Sequence, residues 1–171
     1  MKDIVLLYNE CCVYEIVILN YFLKFTNCDV AFCSLGDKTI TSMEGYSLNV
    51  DKTLAEIDLQ DVRTLIIPGG TIASIDNAPV WEVIRRLHAQ NALLAAICAG
   101  VDVLDHAGIL KGIRSTHSTD EDCVRDGNVI TSRANGYVDF AIEVARALDL
   151  FEDENDLQET IDFWKNHKRM Q

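Results

Sequence analysis

Cys98 stands in the string Ala96-Ile97-Cys98-Ala99-Gly100, where an apolar stretch beginning at Ala92 passes without a spacer into a helix-forming stretch. A strand that turns this sharply into a helix pushes one side chain out above the sheet. It needs small residues two places before and two places after, because the two backbones nearly touch there. Ala96 and Gly100 meet that need. The sulfur would then sit by the positive end of the following helix, which favours thiolate, with backbone N–H groups aimed at any oxyanion formed beside it. The competing reading is a buried, inert cysteine. A second chemical feature is Pro68-Gly69-Gly70, which follows the run Arg63 to Ile67. Paired glycines allow positive φ and close backbone approach, so an N–H can face a pocket; a plain turn is the alternative. No G-K-[ST] follows, so the pair is not a P-loop.

Both features need strands that deliver them to one end of a sheet. Asp3 to Tyr8, Asp29 to Leu35, Arg63 to Ile67 and Ala92 to Ile97 read as strands. Ile113 to His117 and Val129 to Ser132 read as late strands, and Thr39 to Asp51 as a hairpin around Glu44-Gly45. Helices are expected over Glu10 to Phe25, from Pro79 to about Gln90, from Ala99 to about Ala107, over Tyr137 to Leu148 and over Leu157 to Lys168. Continuous apolar strands separated by helices imply an α/β fold, a mostly parallel sheet covered on both faces. Chemistry in such sheets sits at the carboxyl ends of the strands, where Cys98 and the Gly69-Gly70 pair fall.

Composition bounds the rest. The 171 residues suggest a single domain over 1–171, large enough to fold without metal or disulfide. The net charge of −12, with no basic cluster to offset it, argues against nucleic acid and anionic membranes as partners. The longest apolar run, Ala92 to Val101, is too short to span a bilayer. Lys2 is followed at once by Asp3, unlike a secretory signal, and the six cysteines include no C-x-x-C pair. The expectation is a cytoplasmic chain with reduced thiols. The four histidines form no close Cys/His cluster, so no metal site is expected.

The chain resembles the DJ/ThiJ/PfpI superfamily, within the class I glutamine-amidotransferase-like fold. The resemblance rests on Val13-Tyr-Glu-Ile-Val-Ile18, Leu65-Ile-Ile-Pro-Gly-Gly70, Ala95-Ala-Ile-Cys-Ala-Gly100, Arg114-Ser-Thr-His117, and Val129-Ile-Thr-Ser-Arg133 leading to Asp139-Phe-Ala. It is nearest to the parkinsonism-associated deglycase branch, because Ala99 follows the cysteine and a Thr-His pair lies downstream. The resemblance implies a flavodoxin-like three-layer sandwich. It implies that Cys98 is the nucleophilic, oxidisable cysteine, that Glu15 hydrogen-bonds its sulfur, and that His117 lies near it to move protons. It implies that the N–H groups of Gly70 and Ala99 hold an oxyanion. A small-molecule substrate, no cofactor and a homodimer follow from the same source. Arg133 lies in a matching segment and is given no catalytic role. Two departures bear on function: Ala99 replaces the histidine of the proteolytic branches, and Val101 replaces a proline common after the Cys-Ala-Gly string.

Three readings follow. The first is a cysteine-dependent enzyme on small carbonyl or amide compounds, glyoxalase-, deglycase- or amidase-like. The second is a redox sensor or stress-protective protein whose Cys98 is oxidised to sulfenic or sulfinic acid. The third is an isonitrile hydratase-like lyase using the same cysteine. Cys11 and Cys12, just before Glu15, are candidates for resolving thiols or for plain core residues.

Overall fold

The computed structural model describes residues 1–169. In chain order the elements are β1 (Lys2–Leu6), α1 (Val17–Phe25), β2 (Val30–Ser34), β3 (Thr39–Thr41), β4 (Ser47–Asn49), β5 (Lys52–Thr53), β6 (Val62–Ile67), α2 (Ala78–Ala89), β7 (Leu93–Ile97), α3 (Gly100–His106), β8 (Cys123–Asp126), β9 (Val129–Ser132), α4 (Tyr137–Ala147) and α5 (Glu154–Trp164). Seven strands form one sheet in the order β5-β2-β1-β6-β7-β9-β8, while β3 and β4 make a separate hairpin. Every neighbouring pair in the large sheet is parallel except β8 with β9. This is the flavodoxin-like α/β arrangement expected above.

The central strands are apolar on both faces because helices cover both. Ile4, Val5 and Leu6 of β1, Leu65 to Ile67 of β6 and Leu94 to Ile97 of β7 have no exposed surface. From β1 the chain steps to β2; from β6 it steps the opposite way, to β7. With right-handed crossovers, α1 and α2 must then lie on opposite faces. The point where direction reverses lies between β1 and β6, and a crevice opens there outside the carboxyl ends of the strands. The loops leaving those two strands carry Glu15 and Gly69-Gly70.

At the amino end of the sheet, Asp3 is fully buried in β1, and the guanidinium of Arg63 on β6 grips both its oxygens. That buried charge is matched by a cation that keeps part of its own surface in water.

Three elements differ from the sequence expectation. Helix α1 starts at Val17, not Glu10, because residues 10–14 spend their backbone elsewhere. Glu10 has φ +64°, Cys11 pairs in an isolated bridge with Gly70, and Tyr14 N–H donates to the Glu44 carboxylate at 2.9 Å. Ile113 to His117 is not a strand. Its N–H groups turn to side chains, Ser115 to Ser118 Oγ and Thr116 to Thr131 Oγ1, and β8 takes the edge antiparallel to β9. Helix α5 begins at Glu154 rather than Leu157, because Asp153 caps it by accepting from the N–H groups of Asn155 and Asp156.

Candidate active site

Cys98 closes β7 with φ +55°, a left-handed backbone that costs a non-glycine residue energy and persists only where its surroundings enforce it. Two bonds enforce it here. Cys98 N–H donates to the Ser132 carbonyl of β9 at 2.8 Å, and its carbonyl accepts from Val101 N–H at 3.1 Å. The small neighbours do what the sequence pattern requires. A Cβ on Gly100 would fall 2.4 Å from the Ile67 carbonyl oxygen, so α3 can leave β7 at this angle only with glycine there.

Gly69 is equally constrained. A Cβ on it would lie 2.6 Å from Cys98 Cβ, 2.9 Å from the sulfur and 2.9 Å from Glu15 Oε2. Thiol and carboxyl therefore converge on the space a side chain at residue 69 would fill. Glu15 is 1% exposed, and its Oε2 accepts the Gly69 N–H at 2.7 Å. Its Oε1 is buried with no hydrogen-bond partner among the described residues. Burial pushes the Glu15 carboxyl up, against the pull of the Gly69 N–H and the Cys98 thiol. Cys98 is pushed up as well, by burial and by the Glu15 charge, while the Ala99 N–H pulls it down. The helix end alone was expected to favour thiolate; burial and a neighbouring carboxylate outweigh it here. When Glu15 carries the proton, the like charge vanishes and its O–H becomes a donor to sulfur. The two groups behave as a pair that retains protons beyond their ordinary ranges.

Gly70 adopts φ +123° and lies so close to the β1–α1 loop that a Cβ would meet the Glu10 carbonyl at 2.1 Å. The bridge between the loops uses Cys12 N–H to the Gly69 carbonyl and Thr71 N–H to the Glu10 carbonyl. Gly70 N–H is in neither bond. A residue the sequence reading missed, Tyr8, fixes this loop: its buried hydroxyl lies 2.8 Å from the Pro68 carbonyl and 2.7 Å from that of Gly69. Its position past the end of the central strand β1 was the available signal. Tyr14, also missed, packs edge-on to Tyr137 with centroids 5.9 Å apart.

His117 meets two carboxylates of α3. Its Nε2 is 3.2 Å from Asp102 and its Nδ1 is 3.3 Å from Asp105, both on α3, and no hydrogen bond joins it to the sulfur among the described residues. Arg133 donates to the Thr119 carbonyl and faces Asp122, a local brace.

A doubly wound sheet with a cysteine on a strained strand-to-helix turn, a buried glutamate against it and a glycine pair alongside defines a recognisable class. The chain belongs to the DJ-1/PfpI family, whose model matches residues 1–147. A Pyrococcus furiosus protein named deglycase PfpI is 30% identical over 152 residues, covering 80% of this chain and 92% of that protein. Protein dj-1beta of Drosophila melanogaster is 27% identical over 131 residues, covering 66% of this chain and 70% of that protein. A DJ-1 superfamily protein from Agrobacterium tumefaciens superposes with a TM-score of 0.87, covering 98% of this chain and 100% of that one at 22% identity.

Proposed function

We propose that the protein is a cysteine-dependent enzyme acting on small reactive carbonyl compounds or their adducts, with Cys98 as nucleophile. The observation that carries this reading is the pairing of a left-handed Cys98 with a fully buried Glu15 across the empty Cβ position of Gly69. A structural cysteine needs neither strain nor a carboxyl beside it. The deglycase-named relative supports carbonyl compounds over amides as substrates.

In this proposal the Cys98 sulfur adds to the carbonyl carbon, and a C–S bond forms as the C=O π pair moves onto oxygen. The N–H groups of Gly70 and Ala99 stabilise that oxygen. Glu15 supplies a proton to the adduct and takes one back, through the oxygen that has no protein partner. The proton work is assigned to Glu15 rather than His117, whose ring nitrogens face Asp102 and Asp105. No step calls for a cofactor. A second reading, redox sensing, is supported by the same unpartnered Oε1, a spare acceptor or donor on the carboxyl that converges with Cys98 on Gly69.

Self-association belongs to the proposal too. Val17, Tyr21 and Phe25 make an exposed stripe along α1, more apolar surface than an isolated helix usually shows water. A second copy is its proposed cover, and the cytoplasm its proposed location.

The test is turnover of methylglyoxal, glycated thiols and a panel of amides by the purified protein beside Cys98→Ala. Turnover of a carbonyl compound that vanishes in Cys98→Ala supports the enzyme. No turnover on any substrate, with one equivalent of peroxide consumed at Cys98, favours the sensor.

A further inference from the structure

The proposed reaction leaves one thiol near the elbow unused. Cys12 lies on the β1–α1 loop and is 8% exposed. Its N–H donates to the Gly69 carbonyl at 2.8 Å. Gly69 in turn faces Cys98, with its vacant Cβ position 2.9 Å from the Cys98 sulfur. Cys12 and Cys98 thus both adjoin Gly69, Cys12 through its backbone N–H and Cys98 through its side chain. The Glu15 carboxyl is seated on that residue as well, with one oxygen buried and unpartnered. Next to Cys12 is Met43, whose sulfur is 3.7 Å from the Cys12 sulfur and whose side chain is largely exposed. Both thiols are free.

From this juxtaposition we propose that Cys12 is the resolving thiol for oxidised Cys98, so that a peroxide converts the site reversibly into a Cys12–Cys98 disulfide. In the first step the Cys98 thiolate attacks one peroxide oxygen and the O–O bond breaks. Sulfur is oxidised to sulfenic acid, and the second oxygen leaves as hydroxide and takes up a proton to become water. In the second step the Cys12 sulfur attacks the Cys98 sulfur and the S–O bond breaks. The sulfenic oxygen leaves as water with the Cys12 proton. The unpartnered Glu15 oxygen is an acceptor for that proton in transit. Burial and the charges of Glu15 and Cys98 push the Cys12 thiol up to about 11, so it stays protonated and leaves the first oxidation to Cys98. Cys11 is the weaker candidate, being fully buried with its backbone paired to Gly70.

This inference rests on Cys98 being reactive, and the experiment separates the two. The full chain is treated with limiting hydrogen peroxide, then read by intact mass and by peptide mapping without reductant. The expected result is loss of two hydrogens, a Cys12–Cys98 cross-linked peptide and full recovery of thiols with dithiothreitol. Cys12→Ser and Cys12→Ala should instead accumulate sulfinic acid on Cys98 that dithiothreitol does not reverse. Wild-type protein that passes straight to sulfinic acid at Cys98, with Cys12 unmodified, overturns the resolving role and leaves the reactive cysteine standing. Peroxide and alkylating agents that both spare Cys98 overturn the two together. A cross-link that maps to Cys11 also contradicts the assignment.

Discussion

Two carboxyl side chains are buried at opposite ends of the same sheet, and the protein treats them differently. Asp3 has no exposed surface, and Arg63 takes both its oxygens. Glu15 is 1% exposed, and only one of its oxygens is engaged, by a backbone N–H. No cation is among its hydrogen-bond partners, and the other oxygen is buried with no partner among the described residues. An ion gripped at all its oxygens holds β1 to β6. A carboxyl left short of partners has bonding capacity to spend on a substrate or a proton. The contrast separates a structural end of the sheet from a chemical end.

The largest expected effect lies at the structural end. Arg63→Ala strands the Asp3 charge in the core and should cost about 3–5 kcal/mol in urea denaturation. Adding Asp3→Asn should restore part of the loss, which an effect of packing alone would not allow. Next comes the chemical end, where Gly100→Ala forces a Cβ to within 2.4 Å of the Ile67 carbonyl. The expected loss is about 1–3 kcal/mol in the same assay, with Cys98 displaced from its left-handed backbone. The smallest effect is expected at Glu15. Its carboxyl holds a proton more tightly when folded than at the ordinary value of 4.5. Stability from that proton is therefore complete below about pH 4.5 and is lost as pH rises through the folded value. Glu15→Gln cannot lose a proton, so its stability relative to wild type should increase as pH rises above about 4.5. A pH-independent difference in denaturation midpoints would contradict the raised carboxyl.

The chemical end was only partly legible in the sequence. Cys98 with Ala96 and Gly100 could be read because the elbow is local: three small or reactive residues within one turn decide it. The parallel sheet could be read because Ile4 to Leu6 of β1, Leu65 to Ile67 of β6 and the whole of β7 are apolar runs. Glu15 could not be read from its own surroundings, since a loop, not a periodic helix face, delivers it to Gly69. It came from family resemblance, and the geometry places it against Cys98. The partners of His117, Asp102 and Asp105 of α3, could not be read either, since no local pattern announces which partner a histidine takes. Strand β8 was missed because Cys123-Val124-Arg125-Asp126 is short and charged where it meets water, whereas Ile113 to His117 carries more β-forming residues yet turns. The charge environment of Cys98 was only half legible, because a helix end is visible in sequence and a buried neighbouring carboxyl is not.

The account depends most on Cys98 being the reactive thiol of this chain. Limiting iodoacetamide on the native protein at neutral pH, followed by quantitative peptide mapping of all six cysteines, tests that directly. Cys98 should carry the label first, ahead of the partly exposed Cys28 and Cys123. Labelling of Cys28 or Cys123 while Cys98 stays unmodified would contradict the account.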